Sequence, residues 1–343
     1  KCDESAFKYE DFSSIKNLNL IETANKNNDF IRLTQALPYS IGAFWYQDAI
    51  PIKDGFTTIF SFTISEGNNG KAIENSSVGA DGFAFVIQGV NPEQVGYLGA
   101  GMGYEGIPNS LAIEFDMFCN NKNQIDNYND PDGNHIAVMT KGKEANSAYN
   151  SSESTLGISS NILEMKSDGT RYYSKIDYNI IEKKLRIWLD TTNSFSLVSI
   201  IIENVDLTNK LNLIDGYKAY LGFTAGTGDG FQNHDVLSWE VCPVTPKSTS
   251  VFVEDNIGLG DDIITVFPNP ADCMVTIQLN KLITEDCTLT IYNLLGEKVK
   301  LYEIAKENVN GKVFTWLPEC AGIYYCVLSS SLFNHYKKLI IIK

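Results

Sequence analysis

A two-residue alternation of apolar and polar side chains recurs along almost the whole chain, and no segment holds a convincing 3.6-residue helical period. In Phe56–Ile64 this alternation places Phe56, Phe60, Phe62 and Ile64 on one face of a strand. Clusters of Gly, Asn, Asp and Ser separate further runs of this kind, which are Phe83–Ile87, Leu185–Leu189, Val198–Ile202, Tyr217–Phe223 and Leu237–Val241. Regularly spaced strands over about 240 residues predict an all-β, two-sheet antiparallel sandwich.

The composition changes after Cys242. Residues 243–262 contain two prolines, several hydroxyl residues and an acidic end, which is typical of a linker. Short strand patterns resume in the last 81 residues, and that length suffices for a small separate β-sandwich. We therefore predict domains at residues 1–242 and 263–343, joined by a linker at 243–262.

The formal net charge of −15 is uneven, with −16 on residues 1–262 and +1 on residues 263–343. This acidity argues against a nucleic-acid partner, because affinity for phosphates comes from Lys and Arg. It argues equally against anionic membrane surfaces. No apolar run approaches the ~20 residues of a membrane span, so we expect no membrane insertion. We interpret the start at Lys1-Cys2 as a processed, mature terminus.

Seven cysteines are present without a Cys-x-x-Cys pair, which argues against a zinc or redox motif. Export would oxidise some of them. Cys2 and Cys242 lie at the two ends of the first predicted domain and could bridge. Two more bridges could form among the cysteines of the second domain, which are Cys273, Cys287, Cys320 and Cys326. Cys119 would then remain a thiol.

The segment Leu111–Ile136 concentrates metal-binding side chains. Because alternate residues share a strand face, Glu114 and Asp116 point together away from the core. The core-facing residues of the same strand are Leu111, Ile113 and Phe115. Two carboxylates on one face repel unless a cation lies between them, and calcium prefers oxygen ligands. The imidazole of His135 suits a transition-metal ion instead. The alternative is a solvent-facing acidic strand followed by a polar loop.

The order Glu-x-Asp-x-aromatic-x-Asn, then Asp-Pro and a His five residues after that Asp, resembles the metal loop of the legume-type (L-type) lectins. In that family two ions share the loop. The resemblance implies a calcium ion held by Asp116, the Phe118 carbonyl, Asn120 and Asp130. It implies a manganese-like ion held by Glu114, Asp116, Asp130 and His135. Nine residues separate Asn120 from Asp130, more than plant members usually have, so Asp126 or Asp132 could replace Asp130.

The same resemblance extends to carbohydrate-binding residues. Ala80-Asp81-Gly82 is similar to the lectin Ala-Asp-Gly motif, which implies a cis Ala80–Asp81 peptide and Asp81 as the acceptor for sugar hydroxyls. It also implies a Gly96 N–H donor, a Phe118 ring under the sugar and a donating Asn120 amide. The variable loop 224–233 adds Thr227, Asp229 and Gln232 as candidates. His234 is expected to be structural. From the residues alone, 80–82 and Gly96 are equally ordinary turns, and Phe118 is equally a core residue.

The likeness to L-type lectins covers nearly all of residues 5–242 and implies a concanavalin-like jelly roll that binds glycans. Four further motifs follow in order near the C-terminus, at 267–270 (FPNP), 292–296 (YNLLG), 322–324 (GIY) and 337–340 (KKLI). Together they resemble the C-terminal sorting domain of type IX secretion substrates in Bacteroidetes. This implies a small immunoglobulin-like β-sandwich, contact with the type IX machinery, and a secreted or outer-surface protein. The alternative is an ordinary immunoglobulin-like module.

Two other classes of function compete with a lectin. A sandwich-fold glycoside hydrolase would continue Glu114-x-Asp116 with a third carboxylate, but Cys119 occupies that place and is no general acid there. No Gly-x-Ser-x-Gly, His-Glu-x-x-His or P-loop motif is present, so we predict no enzymatic activity. The second competitor is a subunit of a surface filament or layer that polymerises on the lectin scaffold. That role would not exclude glycan binding, and a homo-oligomer or polymer remains open.

Overall fold

The computed structural model describes residues 5–69, 79–121, 127–244, 263–280, 286–294, 297–305, 312–330 and 334–342. The chain divides into two compact units, Lys1–Thr245 and Pro246–Lys343. Residues 245–262 of the predicted linker lie outside the described residues. Among the described residues, no helix is long and apolar enough to cross a membrane.

The first unit is built almost entirely of strands. These are β1 (Phe7–Tyr9), β2 (Leu18–Glu22), β3 (Asn25–Asn27), β4 (Phe30–Thr34), β5 (Ile41–Tyr46), β6 (Ile50–Pro51), β7 (Phe56–Asn68), β8 (Gly82–Gln88), β9 (Ser110–Asp116), β10 (His135–Met139), β11 (Thr155–Ser159), β12 (Asp168–Asn179), β13 (Lys184–Asp190), β14 (Ile200–Glu203), β15 (Lys218–Gly226) and β16 (Phe231–Pro243). Helical turns occur at Gly99–Gly101 (3₁₀) and at α1 (Leu207–Lys210).

These strands form two antiparallel sheets. The first has the order β14-β13-β12-β7-β16-β4-β3, with β1 also paired to β16. The second has the order β11-β10-β9-β8-β15-β5-β2, with β6 also paired to β15. Sequence neighbours are often not sheet neighbours, as in the pairing of β16 with β7, which is the mark of a jelly roll. The predicted all-β sandwich is confirmed.

The main core lies between these two sheets. Phe56, Phe60, Phe62 and Ile64 are all buried in it, which confirms the face predicted from their spacing. The ring of Phe60 lies 4.9 Å from that of Phe223 on the opposite sheet. Burial of each such ring contributes about 1.5–3 kcal/mol, so the packed aromatics account for much of the stability of this unit.

A second apolar cluster covers the outer face of the second sheet. It contains Trp45, Ala84, Val86, Met102, Tyr104, Ile107, Ala112, Ala137, Met139 and Ala148. Because residues 99–107 lie over this face, β8 and β9 are buried on both sides. Glu114 and Asp116 project into this covered region and are only 1% and 3% exposed. A solvent-facing acidic strand, the alternative considered above, is therefore wrong.

The second unit is also all-β. Its strands are β17 (Ile264–Phe267), β18 (Val275–Leu279), β19 (Cys287–Asn293), β20 (Lys298–Ile304), β21 (Val313–Trp316), β22 (Gly322–Ser329) and β23 (Asn334–Ile341). They form one sheet of order β17-β18-β21 and another of order β20-β19-β22-β23. A core of its own, including Ile277, Leu289 and Leu328, fills this small sandwich.

The cysteines differ partly from expectation. Cys273, Cys320 and Cys326 are thiols, so the two bridges predicted in the second unit do not form. Cys326 is buried on β22, whereas Cys273 and Cys320 are exposed outside the strands. Cys242 is disulfide-bonded, and its predicted partner Cys2 lies outside the described residues.

Candidate metal centre and the adjoining surface

Three neighbouring strands, β8, β9 and β10, place the acidic side chains of the second sheet. Asp116 on β9 is in register with Gly82 on β8 and His135 on β10. Two residues earlier, Glu114 is flanked by Ala84 and Ala137. Side chains of in-register residues project from the same face. The small alanines therefore leave room above the sheet for the Glu114 carboxylate.

The imidazole of His135 completes this cluster. Its Nε2 lies 3.7 Å from Glu114 Oε1 and 3.8 Å from Asp116 Oδ2. One ligand atom from each of the three residues falls within 4.8 Å of the others. On the other side of the ring, Nδ1 lies 3.2 Å from the Asp132 carbonyl oxygen, an arrangement that leaves Nε2 facing Glu114 and Asp116. Within the described part of the chain, Nε2 is buried without a hydrogen-bond partner.

The loop after β9 brings in the amide and the third carboxylate. The Asn120 N–H donates to Asp130 Oδ2 at 2.7 Å, and Asn150 Nδ2 donates to Asp130 Oδ1 at 2.9 Å. The Tyr128 N–H donates to the Asn120 carbonyl at 2.7 Å and closes the loop. Asn120 Oδ1 is buried and, among the described residues, accepts no hydrogen bond. An amide oxygen in that state suits calcium.

The two alternatives to Asp130 have different outcomes. Asp126 lies outside the described residues. Asp132 Oδ1 is 3.5 Å from Nδ1 of His135, on the side of the ring away from Glu114 and Asp116. Burial opposes ionisation of Asp132, but hydrogen bonds from His135 and Ser160 outweigh it and lower its pKa to about 2. Asp132 thus orients the imidazole, while Asp130 stays beside Asn120.

The carboxylates of this cluster are buried, so their ionised forms are unfavourable unless a positive charge lies close to them. Burial, and then the charge of Asp130, raise the pKa of Asp116 well above its usual range. Burial likewise raises the pKa of Asp130 to about 7. Burial alone would lower the pKa of His135, but the carboxylates of Asp116, Asp132 and Glu114 raise it well above 6.5. The buried carboxylates lie beside an amide oxygen and an imidazole nitrogen that have no hydrogen-bond partner among the described residues. Such a set of groups fits a calcium ion and a second ion that accepts a nitrogen ligand.

These pKa shifts predict an unusual pH dependence of the metal-free protein. Asp130 and Asp116 hold protons in the folded state that the unfolded chain has lost above about pH 4. The stability that this protonation gives is lost as the pH rises through about 7. The raised pKa of His135 acts in the same direction. In EDTA we expect a melting temperature on the order of 5 °C higher at about pH 5.5 than at about pH 8.

The pH experiment has its own control. Calcium binds the deprotonated carboxylates, so saturating calcium should flatten or reverse the dependence. Asp130→Asn removes one titrating group, so in EDTA its melting temperature should fall less between the two pH values. If this variant lost as much stability as the unchanged protein between the two pH values, Asp130 would not be a source of the effect.

Asp81 lies beside this cluster, at the start of β8. The Ala80–Asp81 peptide is cis, as the resemblance implied. The Asp81 carbonyl accepts from the Met117 N–H at 3.0 Å, and its N–H donates to the Gly226 carbonyl at 3.3 Å. The backbone of Asp81 is thereby held between the ends of β9 and β15. A Cβ placed on Gly228 would lie 3.4 Å from Asp81 Oδ2, so the loop after β15 approaches this carboxylate closely.

The other predicted carbohydrate-binding residues have different surroundings. Phe118 is largely buried, and its N–H donates to Asp116 Oδ1 at 2.8 Å. The Gly96 N–H donates to the Gly103 carbonyl at 2.7 Å, because 96–105 folds back on itself. The sequence predicted that this N–H would donate to a sugar hydroxyl, but it is already engaged by the Gly103 carbonyl. Asp229 is exposed on the loop after β15.

Thr227, Gln232 and His234 are interior residues. The Thr227 hydroxyl accepts from the Ser40 N–H and donates to the Leu37 carbonyl, both at 2.8 Å, so it supports the loop rather than facing solvent. Gln232 Nε2 lies 3.0 Å from Nε2 of His234. Burial lowers the pKa of His234 to about 3, which keeps it neutral. The expected structural role of His234 matches this placement.

Two residues of the centre were missed from sequence. The Tyr104 hydroxyl donates to Glu114 Oε2 at 2.5 Å, and Asn150 donates to Asp130. Neither belongs to the strand-plus-loop pattern that indicated the metal site. For Tyr104, a signal was available in the glycine-rich segment 99–106, which is typical of a chain that packs closely over another surface.

Each unit of this chain matches a known family profile. Residues 7–239 match the family profile of the legume lectin beta-barrel domain. The chain is 29% identical over 294 residues to the probable L-type lectin-domain containing receptor kinase S.7 of Arabidopsis thaliana, covering 77% of this chain and 39% of that protein. It is 26% identical over 263 residues to Lectin 11 of Medicago truncatula, covering 69% of this chain and 81% of that protein. The chain thus spans well under half the length of the receptor kinase.

Among solved structures, lectin II from Ulex europaeus superposes with a TM-score of 0.53 at 26% identity, covering 71% of this chain and 99% of that one. Residues 265–343 match the profile of the secretion system C-terminal sorting domain. A type IX sorting domain indicates secretion and attachment at the outer surface, which confirms the predicted localisation.

Proposed function

The chain belongs to the L-type lectin family, and from that premise we propose that it is a calcium-dependent carbohydrate-binding protein of the outer cell surface. The observation that carries the proposal is the buried cluster of Glu114, Asp116 and His135. Asp130 lies on the loop after β9, where it accepts from Asn120, and the Asp81 carbonyl accepts from Met117, the residue after Asp116. Carboxylates are rarely buried together unless a cation compensates them. An ion bound there would hold the loop after β9 in place beside Asp81.

In this proposal calcium is held by Asp116, the Phe118 carbonyl, Asn120 and Asp130. A second ion of the manganese type is held by Glu114, Asp116, Asp130 and His135. When bound, the ions supply positive charge that keeps the carboxylates ionised and the loop after β9 in place. The Asp130–Asn120 hydrogen bond of 2.7 Å already sets the loop for this role.

Asp81 would accept hydrogen bonds from two sugar hydroxyls, because charge-assisted hydrogen bonds are the stronger kind. Asn120 would present its oxygen to calcium and its amide N–H to the sugar. The exposed loop that carries Asp229 would contribute to specificity. With the Gly96 N–H already engaged, a backbone donor to the sugar has to come from another residue of this surface.

Binding rather than catalysis is the function that we propose. Cys119, at the place of a third carboxylate, is a partly buried thiol whose pKa is raised by burial. A neutral thiol there neither protonates a leaving group nor activates water. For the second unit we propose recognition by the type IX secretion machinery, in keeping with its sorting-domain profile.

Calcium dependence of glycan binding tests the proposal. On a glycan array we expect the full chain to retain a defined set of glycans in calcium, to lose them in EDTA, and to regain them when calcium is restored. The effect should be at least about 100-fold in apparent affinity, the loss expected when about 3 kcal/mol of binding free energy disappears. Retention that EDTA leaves unchanged would contradict the role of the ion, and retention of no glycan would contradict the function.

A further inference from the structure

Tyr104 is fully buried, and its hydroxyl donates to Glu114 Oε2 at 2.5 Å. The other oxygen of that carboxylate, Oε1, faces His135 Nε2 at 3.7 Å. The two oxygens of Glu114 are thus divided between a phenol and the place where a metal would lie. A hydrogen bond to one oxygen restricts rotation of the whole carboxylate, and therefore fixes the direction of the other oxygen.

Tyr104 also lies on the glycine-rich loop over the second sheet. The residues directly before and after it hold Tyr97: the Gly103 N–H donates to the Tyr97 carbonyl at 2.8 Å, and the Tyr97 N–H donates to the Glu105 carbonyl at 2.9 Å. Tyr97 and Leu98 form the exposed tip of this loop, with 66% and 43% of their surface accessible. A shift of Tyr104 would therefore move the tip.

The tip ends beside Asp81. The Gly99 N–H donates to the Thr227 carbonyl at 3.1 Å. A Cβ placed on Gly228 would lie 3.8 Å from the Gly99 Cα and 3.4 Å from Asp81 Oδ2. Gly228 therefore lies close to both Gly99 and the Asp81 carboxylate. The loop is thus held to Glu114 through Tyr104, and at Gly99 it lies against the loop after β15 that approaches Asp81.

A second hydrogen bond ties the same loop to the metal-binding segment. The Tyr128 hydroxyl donates to Glu105 Oε2 at 3.0 Å. The Tyr128 N–H in turn donates to the carbonyl of Asn120. Both residues 104 and 105 are therefore connected to the predicted ligands, one through Glu114 and one through the backbone of Asn120.

We propose that Tyr104 is a positioning residue that orients Glu114 for a transition-metal ion bound with Asp116 and His135, and that it links occupancy of this site to the Tyr97–Leu98 tip beside Asp81. The first claim, that Tyr104 orients Glu114, involves only metal binding. The second claim matters for glycans only if the proposed function holds. Residues that orient a metal ligand typically contribute 10–100-fold to metal affinity.

The metal part is tested with Tyr104→Phe, which removes only the hydroxyl. Manganese is titrated calorimetrically into the full chain at saturating calcium, and we expect its affinity to fall about 10–100-fold. Tyr178→Phe is the matched control, because Tyr178 is also buried and its hydroxyl accepts from the remote Leu207 N–H at 3.1 Å. This control should bind manganese as the unchanged protein does. Unaltered manganese affinity in Tyr104→Phe, whatever its melting temperature, would overturn the positioning role.

The link to the tip is tested by hydrogen exchange. With excess manganese filling the site in both proteins, we expect exchange of the amides in residues 96–106 to slow on the order of 10-fold in the unchanged protein and not in Tyr104→Phe. Equal slowing in both would overturn the link. These measurements use metal ions and no glycan, so failure to bind any glycan would count against the proposed function and leave the Tyr104 result intact.

Discussion

Asp81→Asn is expected to abolish glycan binding while the protein remains folded. The substitution keeps the shape of the side chain but replaces a carboxylate that can accept two charge-assisted hydrogen bonds with an amide. Each such bond contributes about 1.5–3 kcal/mol, so we expect affinity to fall by a factor on the order of 10²–10³ or more. The backbone of Asp81 is held by Met117 and Gly226, independently of its side chain, so the melting temperature should change by less than about 2 °C.

Glycan affinity of this variant is measured by titration with a ligand taken from the array, and stability by circular dichroism. Asp190→Asn is a suitable control, because Asp190 ends β13 in the other sheet and accepts hydrogen bonds from nearby groups such as the Thr192 N–H. The control should bind as the unchanged protein does. If Asp81→Asn retained affinity within about 3-fold, a difference below 1 kcal/mol, Asp81 would not be the acceptor that we propose.

Asp116→Asn is expected to remove the calcium-induced stabilisation without lowering the stability of the metal-free protein. Calcium at 1,000 times its Kd stabilises a native state by about 4 kcal/mol, or about 10 °C in a domain of this size. The asparagine oxygen can still accept the Phe118 N–H bond that Asp116 Oδ1 accepts now. The variant also removes a carboxyl group whose pKa is raised by burial, so its ionisation costs stability when no metal is bound.

Melting curves in EDTA and in calcium distinguish these contributions. In EDTA the variant should melt at the same temperature as the unchanged protein or higher, and calcium should add nothing. Glycan binding should be lost in both conditions. Asp177→Asn, on β12 in the other sheet, should keep the full calcium effect. A normal calcium shift in Asp116→Asn would show that the ion is held elsewhere, and normal glycan binding would break the proposed connection between ion and sugar.

The strand pattern was enough to predict the sandwich, because burial of one strand face imposes a two-residue period that can be read locally. Phe56 to Ile64 and Leu111 to Phe115 lie in the core on the predicted faces. The proximity of the candidate metal ligands was predictable for the same reason: most of them lie on one strand and the loop that follows it. The roles of these residues stay predictions until metal binding is measured.

Other features depend on residues that meet only after folding. The Gly96 N–H donates to the Gly103 carbonyl, and the Thr227 hydroxyl bonds Ser40 and Leu37. No local sequence pattern predicts these contacts. The bridges expected in the second unit were wrong, because cysteine count and spacing do not fix the distances between strand ends. Tyr104 was missed, since its partner Glu114 lies on another element.

The sequence by itself determined that this chain is all-β, that it carries a lectin-like acidic strand, and that a sorting domain follows it. Each of these depends on short-range order, either side-chain alternation or motif spacing. Only the tertiary structure decided that the acidic face is buried, which hydrogen bonds Asp130 and Glu114 accept, and which loop groups remain available beside Asp81. Those outcomes depend on long-range packing of the 99–107 segment over the second sheet, where removal of water turns a charged strand into a site that favours a cation.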